Sequence, residues 1–385
     1  MVIIGSGMAA ISLVRELRKL DDRADIVVLS REAGDFYSKP VLSNALAGAK
    51  SAAALVLTPA TQLARDLRVR IVGGTEVTAI DTGAKTVQAS AGVFPYDSLV
   101  LAVGASQRVP PMAGDAAGAM LSVNNLADYA RFRDRLNGAR GVAIIGAGLI
   151  GCEFANDLRL AGIDVDVYEV AEQPLGRMLP AQAAALFRQR LEAAGVRFRL
   201  DTTLVRIDPA GGGCLLTTST GGSARYDLVL SAIGLQPNLA LARDAGVSTG
   251  FGIRTDRLLR TSATDVYALG DCAEVDGLVL PYVLPITHGA KALARTLLGE
   301  ATEVRYPAMP IVVKTPACPA VVCPPPAAGG AWSVSVDSDG LRGIHHRSDG
   351  QGMDGFVLLG AKVKERMSLA AGLPGPLARM APGGG

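Results

Sequence analysis

The sequence predicts an α/β fold. It should comprise two Rossmann-like, doubly wound parallel-sheet domains, the second inserted in the first, and a small C-terminal α+β domain. Three observations predict this. Two stretches share one layout of strand, glycine turn, helix and strand. Two later stretches, Asp97–Gly104 and Asp227–Gly234, are near copies, each a strand running into a glycine turn. From about Arg305 the texture changes to prolines, glycines and short alternating runs such as Trp332–Val336, which suit a small antiparallel sheet.

The first unit runs from Val2-Ile3-Ile4 through Gly5-Ser6-Gly7-Met8-Ala9-Ala10 and a helical pattern to about Leu20, then the strand Ile26–Leu29. The second runs from Val142–Ile145 through Gly146-Ala147-Gly148-Leu149-Ile150-Gly151 and a helix to about Ala161, then the strand Val165–Tyr168. Continuous apolar strands are what a parallel sheet buried on both faces requires. In such a turn the first Gly permits the bend. The second lets backbone approach a pyrophosphate, and the third small residue lets helix and strand pack. The helix N-terminus adds free N–H groups. Two such turns, each between strand and helix, predict two dinucleotide sites. Gly5, Gly7, Ala9 and Ala10 belong to the first site; Gly146, Gly148 and Gly151 belong to the second.

Glu169 closes the second strand of the second unit. A carboxylate there accepts ribose hydroxyls and repels a 2′-phosphate, so NADH is expected rather than NADPH. Val170-Ala171-Glu172, just after it, offers no base. The matching position in the first unit is Ser30, followed by Arg31 and Glu32, so Ser30 and Glu32 are the ribose candidates there. Gly104 and Gly234 end the two echoed strands, and Val266–Asp271 is a further strand ending in Gly270-Asp271. A helix is expected from about Pro285 to Leu298, and a frayed end from about 375. The expected domains are 1–112 with 227–303, then 113–226, then 304–385.

Composition narrows the class. Of 385 residues 49% are apolar and 19% charged, too apolar for a disordered chain. The 45 glycines follow no three-residue period, and five cysteines make no disulfide scaffold. The net charge of +2 includes no basic stripe, so nucleic-acid binding has no electrostatic basis. No apolar run is long enough to span a membrane, and no signal peptide opens the chain, so a cytoplasmic protein is expected. His288, His345 and His346 have no metal spacing, and no metal is expected.

Four strings carry a family resemblance: Tyr37–Ser43 (YSKPVLS), Gly146–Asp157 (GAGLIGCEFAND), Val266–Asp276 (VYALGDCAEVD) and Val313–Pro319 (VKTPACP). Through them nearly the whole chain resembles the two-dinucleotide flavoprotein reductases of the glutathione-reductase superfamily, and within it the rubredoxin–NAD reductases. The resemblance implies FAD in the first site and NADH in the second. It implies electron supply to rubredoxin, for an alkane hydroxylase or an oxidative-stress system. It also implies that Asp271 meets the ribityl chain, and that Lys39, Pro40 and Lys314 lie beside the flavin. By the same resemblance Glu153 pairs with Lys39 near flavin N5 and keeps that lysine charged, which makes Lys39 and Glu153 the catalytic candidates. The helix near Pro285 would point its N-terminus at the flavin N1–C2=O edge.

The missing thiols select the chemistry. Disulfide reductases of the superfamily carry a redox cysteine pair after the first unit, and its NADH oxidases carry one cysteine there. Here the segment reads Leu42-Ser43-Asn44-Ala45, and the first cysteine is Cys152. Cys318 and Cys323, in a Pro-rich stretch, are expected to be packed thiols. A flavin with no second redox centre must pass electrons outward, one at a time, to a small iron protein. Rubredoxin leads; a ferredoxin of an oxygenase system, an NADH oxidase and a nucleotide-bound interaction protein without turnover are the alternatives. Rubredoxins are acidic, so Lys and Arg near the flavin edge are expected to steer docking and make it steeply salt-sensitive.

Overall fold

Each apolar run expected to be a buried parallel strand takes that place. Strands β1 (Val2–Ile4), β2 (Val27–Leu29), β3 (Arg70–Val72) and β4 (Leu99–Leu101) lie in the order β4-β1-β2-β3, all parallel. Helix α1 (Met8–Leu20) crosses from β1 to β2 and buries Ala10, Leu13, Val14 and Leu17 completely. A second parallel sheet holds β5 (Gly141–Ile145), β6 (Asp164–Tyr168), β7 (Val196–Arg199) and β8 (Leu228–Ser231), in the order β7-β6-β5-β8. Its first crossover is α2 (Leu149–Leu160). Strand β9 (Val266–Ala268) then returns to the first sheet and pairs with β4, so the second unit is an insertion in the first. The computed structural model describes residues 1–325, 329–350 and 352–379.

Each unit carries a three-stranded antiparallel meander before its closing strand: Val77–Pro95 in the first, Leu204–Tyr226 in the second. The two crossings between units, Ala105–Gln107 and Leu235–Pro237, pair as an antiparallel ribbon. The return to the first domain, expected at residue 227, comes instead after Ser231. The reason is β8, which pairs with β5 from Leu228 to Ser231 and so closes the second sheet.

Helix α3 (Val283–Leu297) starts two residues before the expected Pro285. Pro285 lies in its first turn, where a missing N–H costs no intrahelical bond. The last part is the antiparallel sheet that the alternating runs predicted. Its strands are β10 (Ile311–Val313), β11 (Ala320–Cys323), β12 (Ala331–Asp337), β13 (Gly340–His346) and β14 (Met353–Gly360), in the order β10-β11-β14-β13-β12. Val313, Cys318, Val322, Val357 and Leu359 join one core with Phe154 and Leu158 of α2 and with Leu42 and Ala45 of the first domain. Val321, Cys323, Phe356 and Leu358 form another core, under Leu369 and Leu373. Cys318 and Cys323 therefore lie buried in separate cores, and burial pushes the Cys318 thiol up to about 11. The fraying expected from 375 does not hold up to Arg379: Pro376–Arg379 is helical and Leu377 is buried in the first domain's core. Pro326 and residues 380–385, also parts of those expectations, lie outside the described residues.

Candidate functional site

Both glycine turns open onto one cavity of about 2330 Å³. The turns are built alike. Gly5 has φ +110°, and a Cβ there would lie 2.2 Å from the Ala102 carbonyl oxygen; Gly146 has φ +102°, and its Cβ would lie 2.7 Å from that of Ala232. Any larger residue would break the strand-to-helix bend. Gly7 and Gly148 differ. Their φ values of −70° and −73° suit any residue, and a Cβ would meet no protein atom within 4 Å. They are small toward open cavity, not toward protein. Gly7 and Gly148 are also the N-caps of α1 and α2, without a capping side chain or an acid in the first turn. The first N–H groups of both helices are left for a partner from outside. An anionic pyrophosphate against each turn fits both features.

Of the residues singled out from sequence, Gly5, Gly7, Ala9, Ser30, Glu32, Lys39, Pro40, Gly104 and Asp271 line the first half of this cavity. Gly146, Gly148, Glu169 and Gly234 line the second, and Lys314 stands on the wall just beyond β10. Ala10, Gly151, Gly270 and Glu153 do not line it. Ala10 is fully buried, and Gly151 lets α2 pack on its own turn, since a Cβ would lie 1.9 Å from the Gly146 oxygen. Gly270 faces Ala9.

Contacts refine the first half. Ser30 is buried and shares a 2.7 Å hydrogen bond with Ser6 across the glycine turn. Tyr37 donates its hydroxyl to Glu32 at 3.2 Å. Burial pulls the Lys39 ammonium below its usual range, and Asp271, Glu32 and Asp128 oppose that pull. Burial raises the Asp271 carboxyl, and Lys39 opposes it.

The expected Lys39–Glu153 pair is not formed. Glu153 is fully buried on α2, and its Oε2 meets Lys314 Nζ at 2.5 Å. It also accepts the Ser43 hydroxyl at 2.5 Å and the Lys314 backbone N–H at 2.8 Å. The C-terminal sheet packs on α2 and brings Lys314 to the carboxylate, while the acids that act on Lys39 are Asp271, Glu32 and Asp128. Sequence spacing could not show this, because the two partners are 161 residues apart. Ser43, inside the quoted YSKPVLS string, was missed, although it lines the cavity and serves Glu153.

In the second half Glu169 is held by the Ala147 N–H at 2.7 Å and the Ala171 N–H at 3.2 Å, which fixes the carboxylate beside the glycine turn. Arg177 lines the same half and was also missed. Where α3 begins, Pro281, Tyr282, Val283 and Leu284 line the cavity, as do Ile311 and Val312. Tyr282 is 38% exposed, Leu284 44% and Val312 49%, so this mouth offers an apolar rim.

Residues 1–294 match the family described as pyridine nucleotide-disulphide oxidoreductase, and residues 303–373 match a domain described as the rubredoxin binding C-terminal domain. The chain belongs to the pyridine nucleotide-disulphide oxidoreductase family. It is 44% identical to the rubredoxin-NAD(+) reductase of Alcanivorax borkumensis, over 97% of this chain and 98% of that one. It is 38% identical to the nitric oxide reductase FlRd-NAD(+) reductase of Aeromonas salmonicida, over 97% and 96%. A crystal structure of a ferredoxin reductase from Rhodopseudomonas palustris superposes with a TM-score of 0.88 over 99% of this chain and 97% of that one, at 24% identity, and so shares the fold.

Proposed function

We propose that this protein is an FAD-dependent reductase that takes electrons from NADH and delivers them singly to rubredoxin. The observation that carries the reading is the junction. One cavity joins two dinucleotide cradles and opens at an apolar mouth beside the segment that begins the rubredoxin-binding match. The overall change is one NADH and two oxidised rubredoxins to NAD⁺, two reduced rubredoxins and one proton. Bound FAD supplies the change from electron-pair to single-electron chemistry.

This chain's residues bind, orient and screen. The α1 turn at Gly5 and Gly7 would hold the FAD pyrophosphate, and the α2 turn at Gly146 and Gly148 that of NADH. Glu169 would accept the NADH ribose hydroxyls and disfavour a 2′-phosphate. Lys39 and Lys314 place two cations on the cavity wall, where negative charge is to be stabilised. Asp271 balances the first and Glu153 the second. The N-terminus of α3 lies at the cavity with no side-chain cap, so its dipole acts there too. All five cysteines are buried, and we place the protein in the cytoplasm, where thiols are kept reduced.

Anaerobic turnover with NADH and either purified rubredoxin or purified ferredoxin tests the reading. Rubredoxin should give the higher kcat/KM; a clear preference for ferredoxin would favour the oxygenase-type alternative.

A further inference from the structure

Helix α2 carries three polar side chains on the side it buries: Glu153, Asn156 and Asp157, at 0%, 2% and 2% exposure. Their spacing of i, i+3 and i+4 sets them side by side on one face. Buried polar groups are costly without partners. Each of these meets backbone from outside the helix. Asp157 accepts the N–H groups of Leu46 and Ala47 at 2.8 and 3.1 Å. Glu153 takes Ser43 on one side and Lys314 on the other. Asn156 Oδ1 accepts the Ala317 N–H at 3.0 Å. Of the three, Asn156 alone bonds only to the C-terminal part among the described residues.

The segment it reaches is a turn between β10 and β11, held internally by the Cys318 N–H to the Thr315 oxygen at 2.9 Å and by the Thr315 hydroxyl to the Cys318 oxygen at 2.6 Å. The turn starts at Lys314, on the cavity wall, and lies within the stretch matched to rubredoxin binding. At its other end α2 begins at Gly148, the second phosphate cradle.

We propose that Asn156 is a positioning residue for the outward electron step. It fixes the Lys314–Ala317 turn to the helix that starts at the NADH cradle, so that the docking surface and the redox cavity keep one geometry. Asn156 does not line the cavity, so it acts through the turn alone. The proposal rests on the reading that rubredoxin docks at this mouth. Without the acceptor the partly buried Ala317 N–H loses its partner, and the turn opens toward water to satisfy it.

The test compares wild-type holoenzyme with Asn156→Leu and Asn156→Asp. Aspartate keeps a carboxyl oxygen that accepts from the Ala317 N–H; leucine keeps none. For Asn156→Leu, kcat/KM for rubredoxin should fall about tenfold, mainly through KM. Flavin reduction by NADH and turnover with ferricyanide, which needs no docking, should stay within about twofold. Amide exchange of the 314–318 segment should rise. Asn156→Asp should match wild type in all three. Asn156→Ala repeats the comparison if the leucine variant loses FAD. Unchanged exchange at 314–318, or flavin reduction falling in step with rubredoxin reduction, overturns the proposal. Wild-type protein that reduces no rubredoxin would overturn the carrier reading instead, and the exchange data would still decide whether Asn156 holds the turn.

Discussion

Gly7 and Gly148 show how a residue can be chosen for a partner that is not protein. Neither has a backbone conformation that needs glycine, and neither would clash with the chain if given a methyl group. Gly7→Ala should therefore fold normally yet lose FAD. After desalting, the flavin-to-protein ratio should drop below about half of wild type, since the methyl displaces a phosphate from close backbone approach. A full complement of FAD would contradict the cradle. The charged residues were only half legible. Lys39 and Glu153 were both singled out, but their pairing follows from tertiary packing, which brings Lys314 to Glu153. A double-mutant cycle on stability separates the two arrangements. Glu153→Gln with Lys314→Ala should couple by about 1 kcal/mol or more, and Glu153→Gln with Lys39→Ala by less than about 0.5 kcal/mol. The reverse ranking would restore the pairing expected from sequence.

Elements were more legible than residues. The two strand–turn–helix–strand units stand where the sequence placed them, because a parallel strand buried on both faces must be continuously apolar and a phosphate turn must be glycine-rich. The meanders ahead of each closing strand left no such mark; their strands are half exposed and their alternation is weak. The start of α3 was placed late because Pro285 looks like an initiator, while its first turn accepts proline at any of its early positions. Around that helix start the large apolar side chains Tyr282, Val283, Leu284 and Val312 are exposed, and Lys314 is engaged by Glu153. These features favour a weaker salt dependence than the steep one expected from sequence. Between low and physiological ionic strength kcat/KM for rubredoxin should fall by less than about tenfold, as for a docking face centred on apolar contact. A steeper fall in a salt titration would return the weight to electrostatic steering.

At the scale of the whole molecule, one hydrophobic core crosses the expected domain lines. Residues of the first domain, α2 and the C-terminal sheet share it, so NADH cradle, flavin wall and docking turn are parts of one packed body. A sequence read segment by segment assigns each part to its own domain and hides this. The second cradle, with Glu169 fixed by two backbone N–H groups, should select NADH over NADPH by at least about tenfold in kcat/KM; equal use of the two would show that Arg177 compensates for the acid. The central claim is that electrons enter as a pair and leave singly to rubredoxin. Its most direct test is anaerobic stopped flow: holoenzyme reduced by one equivalent of NADH, then mixed with excess oxidised rubredoxin. Flavin absorbance should return within the turnover time while two rubredoxins are bleached for each NADH, the electron count of one hydride. Flavin that stays reduced until oxygen is admitted would contradict it.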